Sequence, residues 1–280
     1  MTEYTFKKPR PQYFSLPSDV IYRLWKSPVS SNGLQKLYQT CKYFFLKRKV
    51  LIVSSAQLDD KEVFSYLLDL SRKSQDLRIN VKLPQKFLYW FDRDLYFYVK
   101  WNHVHNPNFK LLKNIYRCTV KEFFMTSGII SINEFKMLTM ENTIQDFAKG
   151  SSALILDSDG KHCTIDVILQ NLPNIIKFTY DDRFGYICGE ILEKINQCLF
   201  WNNFLEFKLY LHRFDCTFDP TLLCNIIKKN VTKGCEIHFN ESIPSAQYAF
   251  TSFRHVVNEM FKFGYKPVIL LRLIFDYNHF

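Results

Sequence analysis

Apolar positions follow two different rhythms along this chain, and the change falls near residue 50. From about Tyr13 to Lys49 they repeat with the period of a helix. Leu16-Pro17-Ser18-Asp19 reads as a helix start. Proline suits the first turn because its missing N–H would have no intrahelical partner there. Asp19 sets negative charge against the positive end of the helix dipole. Val20, Ile21 and Leu24 share one face, and Ser27-Pro28 ends the helix, since the residue before proline is driven out of the α region. Ser30-Ser31-Asn32-Gly33 then predicts a turn with N-cap candidates. A second helix is expected from about Leu34 to Lys49. Leu34, Leu37, Tyr38, Cys41, Phe44 and Phe45 form its stripe, and most of its lysines lie off that stripe.

Beyond residue 50 the pattern shortens to strand-length apolar runs. Val50–Val53, Leu77–Leu83, Leu95–Val99, Val120–Met125 and Phe135–Met140 read as strands. Alternation with helices then becomes regular. Strands at Ala153–Asp157, Ile175–Tyr180, Phe204–Leu211 and Cys235–Asn240 are followed by helices at Thr164–Asn171, Gly185–Gln197, Pro220–Lys229 and Ser245–Phe263, with a last strand at Val268–Phe275. Strand starts 22 to 33 residues apart match the size of a leucine-rich-repeat unit, although no strict LxxLxLxxN consensus is present. Strand–helix–strand crossovers make neighbouring strands parallel. The expected fold is therefore α/β: a two-helix module over 13–49, then an irregular leucine-rich-repeat-like domain over 50–280 with a mostly parallel, curved sheet. Gly150-Ser151-Ser152 and Asn102–Phe109 read as loops, and Lys233-Gly234 as a break before Cys235.

Composition narrows the function classes. Apolar residues make up 47%, enough for a core, whereas glycine, at 8, is too scarce for phosphate-cradling loops. The first residues carry no apolar signal region and no run reaches the roughly 20 apolar residues of a membrane helix. A cytoplasmic or nuclear location without membrane contact is expected. In that compartment the eight cysteines, none in a CxxC pair, read as small buried hydrophobes.

The net charge of +10 is concentrated at one end: residues 1–50 hold ten Lys/Arg against two acids. An acidic partner is expected there. Two short amphipathic helices bury too little to stand alone, so their faces must pack on the rest of the chain, on a partner, or on both.

Catalytic signals are sparse. His103-Val104-His105 has no third ligand at a suitable spacing, so no metal site is expected. Asp157-Ser158-Asp159-Gly160 echoes half a calcium loop, but Ile168 stands where the bidentate glutamate belongs, and a turn is expected instead. Asp181-Asp182 reads as the equivalent N-capping turn of the next unit. HExxH, GxSxG and glycine-rich phosphate motifs are absent. His162-Cys163 are adjacent and do not face one another as a nucleophile pair would. The aromatic run Phe87–Phe91 with Tyr96–Tyr98 is read as core. No enzyme and no cofactor is expected.

Leu16-Pro17-x-Asp19-Val20-Ile21-x-x-Leu24, Leu34-x-x-Leu37 and Cys41-Lys42-x-Phe44 resemble the F-box pattern, in wording close to its nematode-expanded branch. The resemblance covers residues 13–49. It implies docking to the acidic Skp-type adaptor of a cullin–RING (SCF-type) ubiquitin ligase through Leu16, Pro17, Val20, Ile21, Leu24, Leu34, Leu37, Cys41 and Phe44. It also implies recruitment of an unknown protein substrate by residues 50–280. The alternative left by charge alone is a basic nucleic-acid-binding or general protein-interaction module, of which nucleic acid is the less expected partner.

Overall fold

The computed structural model describes residues 17, 20, 22, 23, 28–40, 49–58, 63–68, 78–82, 87–97, 114–183, 185–213, 215, 217–240, 244–260 and 268–274. The chain divides into two compact units, Met1–Lys49 and Val50–Phe280.

In the first unit, helix α1 spans Ser31–Thr40. Ser30 caps it, its hydroxyl accepting from the Gly33 N–H at 3.1 Å. Leu34 is buried, Leu37 and Tyr38 are half-buried, and Gln35, Lys36 and Gln39 are exposed. The amphipathic stripe is therefore present over this stretch. Residues 41–48, where the helix was expected to continue, lie outside the described residues.

The second unit is built on one eleven-stranded sheet. Its strands are β1 (Val50–Leu58), β2 (Val63–Leu68), β3 (Arg78–Lys82), β4 (Leu88–Phe97), β5 (Ile115–Cys118), β6 (Glu122–Ser131), β7 (Asp146–Leu156), β8 (Lys177–Asp182), β9 (Phe204–Leu211), β10 (Val231–Asn240) and β11 (Val268–Ile274). Helices α2 (Ile132–Thr139), α3 (Ile165–Gln170), α4 (Gly189–Gln197), α5 (Pro220–Asn230) and α6 (Pro244–Met260) alternate with the last six strands. From β6 to β11 each strand lies beside its predecessor in the chain, and every pairing is parallel. At the other end β4 pairs with β1 in parallel, and β2 and β3 add an antiparallel edge. Strand β5 pairs with the first half of β4, and β6 with the second half.

Register explains the core. Leu95, Phe123, Phe147, Phe178, Phe207 and Cys235 are aligned from β4 to β10, and all are sealed from water. Ring centroids of Phe123–Phe147, Phe147–Phe178 and Phe178–Phe207 lie 5.6, 5.8 and 5.8 Å apart. Each such phenylalanine is worth roughly 1.5–3 kcal/mol in transfer alone. Two residues further on, the next buried row reads Phe97, Met125, Lys149, Tyr180, Leu209 and Ile237. Helix residues Phe135, Ile168, Leu192, Ile226 and Phe253 belong to the same core. Consecutive helices α3 to α6 also pack on one another.

Asparagines link successive loops. Asn174 Nδ2 donates to the Asn142 carbonyl at 2.7 Å, and Asn202 Nδ2 donates to the Asn174 carbonyl at 3.0 Å. The residues stand 32 and 28 positions apart, just before β7, β8 and β9. An asparagine side chain thus satisfies a carbonyl of the preceding unit twice in succession.

Several expectations are corrected. Phe135–Met140 is not a strand: Ile132–Thr139 is helical, fixed by a capping box in which Ser131 Oγ accepts from the Glu134 N–H while the Glu134 carboxylate accepts from the Ser131 N–H. Gly150-Ser151-Ser152 is no loop but runs inside β7, where the register shifts against β6 between Met125 and Ser127. A Cβ at Gly150 would stand 2.9 Å from the Thr126 carbonyl oxygen, so the close backbone approach there needs glycine. Lys233-Gly234 does not break the chain: α5 runs straight into β10, which absorbs a register shift between Val231 and Gly234. Asp181-Asp182 does not cap a helix; both residues end β8, and α4 begins at Gly189 after Cys188, which makes no side-chain cap. The strand expected from Leu95 begins at Leu88, whereas the reading of the aromatic run as core holds, with Tyr89, Trp90 and Phe91 buried.

Other readings hold. Asp219 caps α5 by accepting from the Thr221 N–H at 2.8 Å, with proline following in the first turn. Asp157–Gly160 is a turn, with Gly160 at φ +75°.

Candidate interaction surfaces

Strand alternation leaves a second sheet face whose rows are charged or half-exposed. One row reads Glu122, Asp146, Lys177 and Glu206; the next reads Phe124, Ala148, Thr179, Lys208 and Glu236; a third holds Asp181, Tyr210 and His238. Glu122 and Lys177 are exposed and most of the others half-buried. The charges pair along the rows. Lys177 Nζ lies 3.5 Å from Asp146, and Lys208 reaches both Glu206 and Glu236. His212 Nε2 lies 2.8 Å from Asp181, and the His238 ring stacks on Tyr210 at 4.3 Å while its Nε2 lies 3.3 Å from Glu236. Burial pushes Glu236 upward, but His238 and Lys208 outweigh it and hold the carboxyl below its ordinary range. Toward β4 the face becomes aromatic, with Tyr96 stacked on Phe124 at 5.1 Å. At the start of β4, Trp90 donates to Thr119 Oγ1 and carries the Arg117 guanidinium over its ring at 5.0 Å; Arg117 in turn makes a two-point contact with Glu141.

A cavity of about 400 Å³ opens at the C-terminal ends of β8 and β9. Three local devices shape it. The Asp157 carboxylate accepts from the N–H groups of Asp159 and Lys161 at 2.9 and 2.8 Å, turning the chain so that Lys161 and His162 reach the cavity. Ile187 donates its N–H to the Arg213 carbonyl at 3.1 Å, tying the segment before α4 to the end of β9. Gly185 sits directly over Asp182; a Cβ there would stand 2.9 Å from the Asp182 carboxylate.

Under the cavity lies a buried polar trio. Lys149 and Asp182 have side chains 1% and 2% exposed and lie 3.5 Å apart. The Tyr180 hydroxyl donates to Asp182 at 2.8 Å, and Lys149 donates to the Asp181 carbonyl at 3.2 Å. Burial drives the Lys149 ammonium below its ordinary value, with Asp182 opposing the shift. Burial, and then the Asp182 charge, push the Tyr180 phenol well above its ordinary range.

Several of the described thiols are held protonated by burial and are poor nucleophiles. Cys163 lines the cavity, but burial pushes it up to about 11; Cys198 is pushed to about 11, and Cys118 and Cys224 to about 12. Among the described residues no group of three or more His, Cys, Asp or Glu could hold a metal ion, and no helix is long and apolar enough to cross a membrane. His103 and His105 lie outside the described residues.

Of the residues expected to dock an adaptor, Pro17 is exposed, Val20 and Leu37 are half-buried and Leu34 is buried. Leu16, Ile21, Leu24, Cys41 and Phe44 lie outside the described residues. The cavity residues were not anticipated as a group. Their positions become neighbours only once β7, β8 and β9 are in register, and the one local signal was the Asp157–Gly160 turn.

Fold and surfaces together define an α/β protein on a mostly parallel sheet, with helices packed into one buried face and paired charges on the other. No family model, no curated protein and no solved structure matches the chain.

Proposed function

We propose that the chain is a substrate-recruiting F-box adaptor of an SCF-type cullin–RING ubiquitin ligase. Residues 13–49 dock a Skp-type adaptor, and residues 50–280 form a leucine-rich-repeat-like domain that holds a target protein. The observation that carries the reading is the serial sheet from β6 to β11, whose helices and buried side chains share one face and leave a continuous row structure on the other. Repeat proteins bind partners on such exposed strand faces. The asparagines at 174 and 202, each donating to a carbonyl of the preceding unit, support the repeat character where the sequence lacks a strict consensus. Exposed Pro17, at the head of the first helical stretch, supports a docking edge there.

In this reading the chain makes and breaks no bonds. It raises the effective concentration of a target lysine near a ubiquitin-charged enzyme. The cationic stretch 1–50 suits an acidic adaptor. A stable docking interface buries about 1,200–2,000 Å².

The test is affinity purification with mass spectrometry on the wild type and on Leu16→Asp/Pro17→Ala. Adaptor and cullin peptides are expected with the wild type and absent with the variant, whose far-UV circular dichroism stays unchanged. Recovery of neither subunit with the wild type, together with retention on nucleic acid at physiological salt, would move the reading to a basic binding module.

A further inference from the structure

Four features converge on the cavity at the ends of β8 and β9. Its inner wall is apolar and aromatic, formed by Tyr180, Leu211, Ile187 and Tyr210. Its rim carries two exposed cations, Lys161 and Arg213, and two imidazoles, His162 and His212. Asp182 is the acid that lines it, and that carboxylate is already committed to Lys149 and the Tyr180 hydroxyl. The fourth feature is position. Tyr210 belongs to the charged sheet face through its register with Asp181 and His238, so the cavity adjoins the edge of that face.

A ligand matched to these walls presents a planar apolar group inward and negative charge outward. About 400 Å³ lies at the low end of ligand-binding pockets, roughly 300–1,000 Å³, and exceeds what one aromatic side chain fills. Aromatic anchors seated in pockets dominate protein–protein interfaces, each burying roughly 150–250 Å². We propose that this cavity is the anchor pocket for the target protein, taking an aromatic side chain flanked by acidic residues that meet Lys161 and Arg213. The inference rests on the reading that residues 50–280 recruit a target, and it specifies where and by what chemistry.

The sheet face is poorly suited to supply this anchor itself. Its lysines and acids are paired with one another, so a partner laid across it must first break those pairs or accept them as they stand. Lys161 and Arg213 are more exposed than the paired Lys208, and they stand beside an apolar recess.

The experiment is selection of a random displayed peptide library on the intact chain, with enriched peptides then measured by fluorescence anisotropy. The expected peptides share an aromatic residue with Asp or Glu close on either side. They lose about tenfold or more in affinity on Lys161→Glu/Arg213→Glu and are unmoved by Lys228→Glu, an exposed lysine of α5 outside both the cavity and the sheet face. Peptides without that signature, peptides indifferent to the rim variant, or no enrichment at all would overturn the proposal. Binding lost on Lys177→Glu of the sheet face, and not on the rim variant, would remove the cavity but keep the recruiting face. Adaptor co-purification reports on the docking module independently of all these outcomes.

Discussion

Replacing Lys149 by Met should cost about 3–5 kcal/mol of folding stability, the range seen when one partner of a buried ion pair is removed. The geometry supports that magnitude. The two charges lie 3.5 Å apart with side chains 1% and 2% exposed. Coulomb's law at an effective dielectric of about 20 gives an attraction on the order of 5 kcal/mol at that separation. Without Lys149, Asp182 keeps the Tyr180 hydroxyl as a donor but loses its counter-charge. The triple variant Lys149→Met/Tyr180→Phe/Asp182→Leu removes the three polar side chains at once, although the Asp181 carbonyl that accepted from Lys149 stays. It should return to within about 2 kcal/mol of the wild type, because replacing all partners by apolar groups of similar shape is often close to neutral. Urea unfolding followed by circular dichroism reads both values from the midpoint and slope. A cost under about 1 kcal/mol for Lys149→Met, or a triple variant no better than the single one, would show that the trio is not a closed, mutually dependent unit.

Three further outcomes are expected. Six buried cysteines (118, 163, 188, 198, 224 and 235) should resist a thiol reagent in the native protein and react once guanidinium unfolds it; rapid native labelling of more than the remaining two would contradict the burial. Stability should fall as pH rises above about 9, because burial raises the folded thiols to about 11–12 while unfolded thiols ionise near 9.0. The folded state then binds more protons than the unfolded one, so the contribution is complete below the unfolded value and is lost through the folded one; Tyr180, raised for the same reason, adds a loss above about 10. Thermal melts at stepped pH check the sign. Asp219→Ala and Ser131→Ala should each cost about 1 kcal/mol through loss of a helix cap, read as a shift in urea midpoint with an unchanged slope.

Much of the second unit was legible because its signals are local. Phe207–Leu211 alternates between buried and half-buried positions, and Asp219-Pro220 announces a helix in two residues. The errors arose where local pattern and hydrogen-bond ladder part company. Ile132–Thr139 has only eight residues, and its apolar run matches a buried strand as well as a helix; the Ser131/Glu134 capping box decides between them. Gly150-Ser151-Ser152 and Lys233-Gly234 look like punctuation, yet each lies where a strand changes register against its neighbour. The cavity was illegible for a different reason. Lys161, Asp182, Tyr210 and Arg213 come from three successive units, and nothing local to any of them reports the other two.

The paired charges on the open face bear on how such a surface would select a partner. A face of unpaired lysines would attract acidic proteins over a Debye length, about 8 Å at physiological salt, and would discriminate poorly among them. Here Asp146–Lys177, Lys208 with its two glutamates, and His212–Asp181 satisfy one another within the sheet. All are partly or largely exposed, so each pair contributes little to stability. In the proposed recruiting role their stronger effect would be on binding: a partner that buried them would have to reproduce their contacts, which penalises every surface lacking matching polar groups. Discrimination on the face then comes from mismatch, and affinity must come from somewhere less committed. The recess beside Tyr210, apolar within and cationic at its rim, meets that requirement. Association governed by it should lose affinity only modestly as salt rises, because two exposed rim charges, rather than the many paired charges of the face, would carry the electrostatic part.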